Sequence, residues 1–496
     1  RGRLSPWDAC HLAVQQGLGA AGGVEFAEPD LEQQWPWSTV ARQTLGMTGE
    51  CGPPAPQDSD TYAVGDHPLW FRDTHHSQLG DAFHAVGTPD TAQRIRIAHL
   101  DTGYDPDHRT RPANLRLDLQ RNFVDDDRPT DATDRPTALI NPMFGHGTGT
   151  IGLLAGDVMD DDGNLLGGAP QCEVVPIRVA NWTVLFRNSA IAQALDYVHG
   201  LWSTPSNRVH VVTMSMGGLP SAAWADAVNA LYERGVFIVT AAGNNFGGLP
   251  TRRTVWPARF NRVVSACGVM ADGRPYADLP RARMAGCYGP TDKERTSLSA
   301  FTPNVPWPKF GCPQVVDLDG GGTSAATPQI AAAAALWMQK HVDTLDRYPE
   351  GWMRVEAARK ALFDSARDPG NQRARLGRGI VQAGDALEQR PSAATQLQKE
   401  AEDSAGFALF KLLTGLGVAD ERSPRRRMLE LEALQLGQQS QEVEALIDRV
   451  DWSEPSIAGS ADARRLLEAF ADHPAASVTL RNTLHERLGR ASVPTP

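Results

Sequence analysis

A serine hydroxyl is a poor nucleophile at neutral pH, and an imidazole placed to take its proton makes it a good one. The stretch GGGTSAATP, residues 320–328, isolates one such serine, Ser324, between three glycines and the run Ile330 to Met338, which is built of strong helix formers. Ser324 therefore stands at or near a helix N-terminus, where unpaired backbone N–H groups favour developing negative charge. A simple Ser/Thr helix cap explains the same fragment, so the rest of the chain must decide. In FGHGTGTIGLLAG (144–156), His146 lies between glycines at the start of an apolar helix. Of the thirteen histidines it is the one whose neighbours give it both room and rigidity, whereas His99, inside a strand pattern, reads as structural. Asp101 in HLDTG, Ser215 in TMSMGG and Asn244 in AAGNN each end an apolar run. A lone polar residue at a strand end is ordinarily a cap or a turn former; several beside a glycine-flanked serine make a site.

The elements that must position these groups follow from periodicity. Short apolar runs recur at 94–103, 172–180, 208–218, 235–245 and 262–269, and helical patterns such as SAIAQALDYVHGLW and SAAWADAVNALYERG lie between several of them. Strands alternating with helices predict βαβ units and a mostly parallel sheet covered on both faces, an α/β core. Functional residues of such sheets gather at the carboxyl ends of the strands, which is where Asp101, Ser215 and Asn244 fall.

Taken in order, IAHLDTGYDPDH, FGHGTGTIGLLAG, TMSMGG, TAAGNN and GGGTSAATPQIAAAAAL resemble the motifs of the subtilisin-like serine proteases, the subtilases. The resemblance implies the three-layer α/β fold of that family over residues 68–392 and a serine endopeptidase acting through Asp101, His146 and Ser324, with Asn244 and the Ser324 N–H as oxyanion donors. It also implies that Ser215, Met216 and Gly217 line one wall of the primary specificity pocket. Val255, before Trp256-Pro257, would close the floor where broad-specificity members commonly carry Gly, and so favour a small residue before the cut. Packing of Val255 in the core is the alternative. Gln329 stands where many members have His, inside the helix, with no catalytic loss expected. The same fold allows two other outcomes, a peptide transamidase that passes the acyl group to an amine, and a non-catalytic protein that binds a partner.

Bulk properties bound the rest. The 496 residues carry a formal charge of -11, which argues against nucleic acid as a partner, and no apolar run is long enough to cross a membrane. A peptide or protein substrate is the expected partner. The six cysteines show no metal-ligand spacing, leaving disulfides and buried thiols both open. The chemistry requires no cofactor. Asp125 to Asp127 and Asp160 to Asp162 are hard oxygen donors, and the resemblance leaves structural calcium open there, although solvated acidic loops explain them as well. The acidic balance and the lack of a visible secretory segment point to the cytoplasm, with secretion left open.

Residues 1–67 read as an N-terminal extension and linker, with a short helix in WDACHLAVQQGLG and a strand in GVEFAEPDL; the resemblance likens the latter to the tail of an inhibitory prodomain. Residues 393–496 read as a small helical domain, with helices in FALFKLLTGLG, EVEALIDRV and TLRNTLHERLG and connections such as ADERSPRRR. It carries no catalytic motif and is either a stabilising cap or a docking module.

Overall fold

The structure, a computed structural model, describes residues 4–17, 23–34, 51–90, 94–135, 145–182, 185–247, 251–280, 283–405, 423–449 and 460–493. The predicted FALFKLLTGLG helix lies outside these residues. The centre is a seven-stranded sheet in the order β11-β9-β7-β6-β2-β4-β3. Its strands are β2 (Arg96–Asp101), β3 (Arg121–Asn122), β4 (Glu173–Arg178), β6 (Val211–Met214), β7 (Phe237–Ala241), β9 (Val264–Val269) and β11 (Ser297–Phe301). Every pairing among them is parallel. All five predicted runs are strands of this sheet.

Both faces are buried, and the period of two sorts the side chains between them. Ile97, Val174, Val211 and Val239 join the core shared with α3 (His146–Ala155) and α6 (Thr323–Lys340). Ala98, Val175, Val212 and Ile238 join the opposite core, under α4 (Asn188–Gly200) and α5 (Ala222–Arg234). Helix α6 is buried from Thr323 to Gln339. That explains its alanines, which let a central helix lie close to the sheet without bulk.

The flanks differ from the sequence reading in two places. GVEFAEPDL holds no strand; β1 is Glu32–Gln34, just beyond it, and pairs antiparallel with β5 (Leu185–Arg187). Before β1, Glu28 accepts from the N–H groups of Ala222 and Ala223, and Asp30 accepts from the N–H of Ser189. These carboxylates therefore cap α5 and α4, and their own backbone is shaped by that task. ADERSPRRR is not a connection throughout. Ser423 accepts from the Arg426 N–H and Pro424 takes the first helical position, so a helix begins there. It runs over Pro424–Gln439, and with Gln441–Arg449, Ala461–Asp472 and Val478–Leu488 it builds a second small core around Leu436, Leu466, Phe470 and Leu480. The amino-terminal helix α1 (Pro6–Gln15) docks on this bundle, with Trp7 Nε1 donating to Gln435 and His11 paired to Glu432 at 3.1 Å.

Candidate active site

Strand β2 delivers Asp101 at its carboxyl end, fully buried, and the glycine-rich start of α3 brings His146 over it. A Cβ on Gly147 would lie 2.0 Å from the Gly103 carbonyl oxygen, so only glycine lets the helix start this close to the DTG turn. His146 Nδ1 and Asp101 Oδ1 are 2.7 Å apart. A carboxylate only accepts, so Nδ1 carries the proton and Nε2 is left as the basic nitrogen. The same Oδ1 accepts from the Thr102 N–H at 2.8 Å, and Oδ2 accepts from the Thr150 hydroxyl at 3.1 Å. Burial alone would raise the Asp101 pKa, but the imidazole of His146 and these hydrogen bonds outweigh it and hold the carboxyl below its ordinary value.

His99, two residues earlier on the same strand face, donates from Nε2 to Thr150 Oγ1 at 2.8 Å. Burial pushes its pKa down to about 4, so it is a neutral donor that orients the threonine. The structural reading of His99 holds, with the addition that what it supports is the Asp101 carboxylate. The sequence reading missed Thr150 and also Asp134, whose Oδ2 accepts from the Gly145 N–H at 2.6 Å and the Thr102 hydroxyl at 2.7 Å. Gly147 N in turn donates to Thr102 Oγ1 at 3.1 Å. A buried carboxylate thus braces both sides of the residue that carries the imidazole.

Ser324 is the second residue of α6, beyond Gly322, whose φ of +76° and a distance of 2.9 Å from an added Cβ to Asn244 Nδ2 both demand glycine. Asn244 Oδ1 accepts from the Thr323 N–H at 2.9 Å, which fixes the amide and leaves Nδ2 on its other side. Ser324 Oγ donates to the Ser215 carbonyl at 3.1 Å, and Ser215 Oγ donates to the Ser324 carbonyl at 2.9 Å. The second bond has a clear cause. Pro328, four residues on, has no N–H to give the Ser324 carbonyl, and the Ser215 hydroxyl replaces it. Among the described residues, Ser324 and His146 share no hydrogen bond in this structure; Asp101 is joined to His146, and Ser324 to Ser215.

Met216 is buried in the core beneath α4 and α5. Gly217 and Gly243 face Val255 from two sides. A Cβ on Gly217 would lie 2.6 Å from Val255 Cγ2, and one on Gly243 would lie 3.1 Å from each of its methyls. The segment is stitched to both neighbours, with Val255 N donating to the Ala242 carbonyl and Trp256 N to the Gly218 carbonyl. Gln329 bridges α6 to β11, donating to the Phe301 and Ala325 carbonyls at 2.7 and 2.9 Å.

The acidic loops meet the chain's own cations. Asp125 pairs with Arg178 at 3.0 Å, Asp161 with Arg109 at 3.1 Å, and the Leu165 carbonyl accepts from Arg72. Elsewhere, Asp66, His67 and Asp73 bring donor atoms within 4.8 Å of one another. Cys51 and Cys312 form a disulfide, while Cys10, Cys172, Cys267 and Cys287 are free thiols. Both readings of the cysteines therefore hold, each for different residues. Among the described residues no helix is long and apolar enough to cross a membrane.

The model of the subtilase family matches residues 92–379, more than half of the chain. The chain belongs to the subtilase family. This subtilase is similar to subtilisin Savinase of Lederbergia lenta, 30% identical over 51% of this chain and 78% of that protein. It is also similar to an alkaline protease of Alkalihalobacillus alcalophilus, 30% identical over 51% of this chain and 56% of that one, and to an intracellular serine protease of Paenibacillus polymyxa, 26% identical over 51% and 70%. Membership makes it a serine endopeptidase, a hydrolase on a subtilisin-like α/β fold, whose chemistry needs no cofactor and whose substrate is a peptide or protein.

Proposed function

We propose that this subtilase cleaves peptide bonds through Asp101, His146 and Ser324, with a preference for a small residue before the cut. The observation that carries the reading is the 2.7 Å bond from His146 Nδ1 to a buried carboxylate, because it leaves Nε2 as the base. The Ser324 hydroxyl turns from the Ser215 carbonyl to Nε2, gives up its proton there and attacks the substrate carbonyl carbon. Catalytic hydrogen bonds of this kind commonly tighten only once substrate is bound. The oxyanion forms between Asn244 Nδ2 and the Ser324 N–H at the start of α6. His146 then passes its proton to the leaving amine, and water repeats the sequence on the acyl-enzyme. Asp101 keeps the imidazole in the right tautomer and stabilises the imidazolium.

The small-residue preference rests on Val255, whose methyls occupy the space between Gly217 and Gly243. Residues 1–67 act as a prosegment-like extension, residues 68–392 as the catalytic domain and residues 393–496 as a C-terminal helical domain. The pairing of β1 with β5 and the capping of α4 and α5 by Asp30 and Glu28 support the first of these. Mass spectrometry of peptide-library digests tests activity and pocket together. Hydrolysis products ending in Ala, Ser or Gly are expected; ring or ligation masses would point instead to a transamidase, and ends in large apolar residues would refute the pocket assignment.

A further inference from the structure

Among the described residues, the helical bundle at the carboxyl end packs on the catalytic half beside Gly218 and Thr251. Helix Pro424–Gln439 lies along the chain that leaves Ser215, with Gln438 Nε2 donating to the Gly218 carbonyl at 3.2 Å and Gln435 Nε2 to the Pro220 carbonyl at 2.9 Å. The next helix, Gln441–Arg449, reaches the segment that leads into Val255. Glu444 accepts from the hydroxyl of buried Thr251 and stands 4.0 Å from Arg253, two residues short of Val255. Leu434 joins the apolar cluster that contains Trp256. A partly open pocket between the helices and these segments is lined by Thr254, Gln438 and Glu444 among others. The hydrogen bonds of Gln435, Gln438 and Glu444 nevertheless tie both segments to the helices.

We propose that the C-terminal helices set the shape of the primary specificity pocket, with Gln438 and Glu444 as positioning residues that hold one wall, 215–220, and the segment 251–255 that leads into its floor. This rests on the reading that this wall and floor border the residue before the cut. The glutamine amide satisfies the outer lone pair of the Gly218 carbonyl, whose other bond comes from Trp256 N at 3.0 Å. Glu444 fixes the hydroxyl end of the segment that leads into Val255. Loss of either lets the wall or floor it holds drift outward, and the pocket admits larger side chains. The bundle is thereby a specificity element and not only a cap.

The test uses the full chain and compares Gln438→Ala, Glu444→Ala and Glu444→Gln with the wild type on matched peptides carrying Ala or Phe before the cut. The ratio of kcat/KM for Ala over Phe is expected to fall about tenfold, equivalent to 1.4 kcal/mol, in each alanine variant. The change should sit in KM, with labelling of Ser324 by a fluorophosphonate unchanged. Glu444→Gln keeps an acceptor for Thr251 and should retain the wild-type ratio. An unchanged ratio in folded alanine variants, or a loss of kcat shared equally by both peptides, would overturn the proposal. Should Gln438→Ala fail to fold by circular dichroism, Gln438→Asn, too short to reach Gly218, takes its place under the same criteria. Wild-type protein that neither cleaves nor labels would defeat the protease reading itself; cleavage with no shift in the variants defeats this inference alone.

Discussion

Pro328 withholds an N–H from the Ser324 carbonyl, and Ser215 supplies it. Replacing Ser215 with Ala would leave a buried acceptor unmet, at a cost of about 1–3 kcal/mol. The backbone that carries the proposed oxyanion donor, the Ser324 N–H, would lose its anchor too. A lower Tm together with a lower kcat is expected; unchanged kcat at unchanged Tm would show that the bond is idle. Val255 makes a second prediction at this scale. Its isopropyl group fills space between two glycines, and each buried methylene is worth about 0.8 kcal/mol, so Val255→Gly should favour Phe over Ala before the cut by roughly 10- to 30-fold in kcat/KM. Cleavage kinetics on the paired peptides would measure it. The proposed reacting residues could be picked out in the sequence because the chemistry dictates their types: a hydroxyl at a glycine-flanked helix start, an imidazole between glycines, a carboxylate at a strand end. Thr150 and Asp134 were not, since a threonine inside an apolar helix and an aspartate in a polar loop look the same whether or not they brace something.

Between β2 and α3, the Asp134 carboxyl is a buried acid linked to Gly145 and Thr102. Burial pushes its pKa from 3.8 up to about 7, opposed by those two hydrogen bonds and the Arg178 guanidinium and reinforced by the Asp101 carboxylate. The folded state therefore binds this proton more tightly than the unfolded chain does. The stability linked to it is fully present below 3.8 and is lost as pH rises toward about 7. Asp134→Asn can keep the two bonds at Oδ2 while removing the charge, although it gives up the one that Oδ1 accepts from the Arg135 N–H at 2.7 Å; whatever that costs at all pH values, its Tm should gain on that of the wild type between pH 5 and 8, on the order of one pKa unit's worth of stability or more. A parallel pH dependence in the two proteins would contradict it. The five central strands were readable at this scale because burial on both faces makes them apolar runs. Strand β11, with its alternating serines, and the two-residue β3 carry no such signal. The helix at Pro424 was hidden for a different reason. Ser-Pro is both a turn former and the cap-plus-first-residue pair that opens a helix, and only its neighbours in space choose between them.

Across the whole molecule, the Cys51–Cys312 bond ties residues beyond β1 to the hairpin of β12 (Val305–Pro308) and β13 (Val316–Gly320). Trp307 of that hairpin meets the His146 ring with centroids 5.7 Å apart. The bond closes a separation of 261 residues, and loop entropy puts its worth at up to about 5 kcal/mol. At about 2.1 cal/mol/K per residue over the 496 residues, reduction should lower Tm by roughly 5 °C. Melting with and without reductant, with Cys51→Ser as control, checks this. No spacing in the sequence could pair these two among six cysteines, because their meeting depends on the finished fold. That fold also pairs Asp101 with His146 and sets Asn244 against the start of α6, which carries Ser324, and the proposed function requires that the four act together. The most direct measurement is intact mass and peptide mapping after exposure of folded protein to a fluorophosphonate. A single adduct on Ser324, lost in Ser324→Ala and strongly slowed in His146→Ala, is the predicted result; no adduct, or one on a different residue, would contradict it.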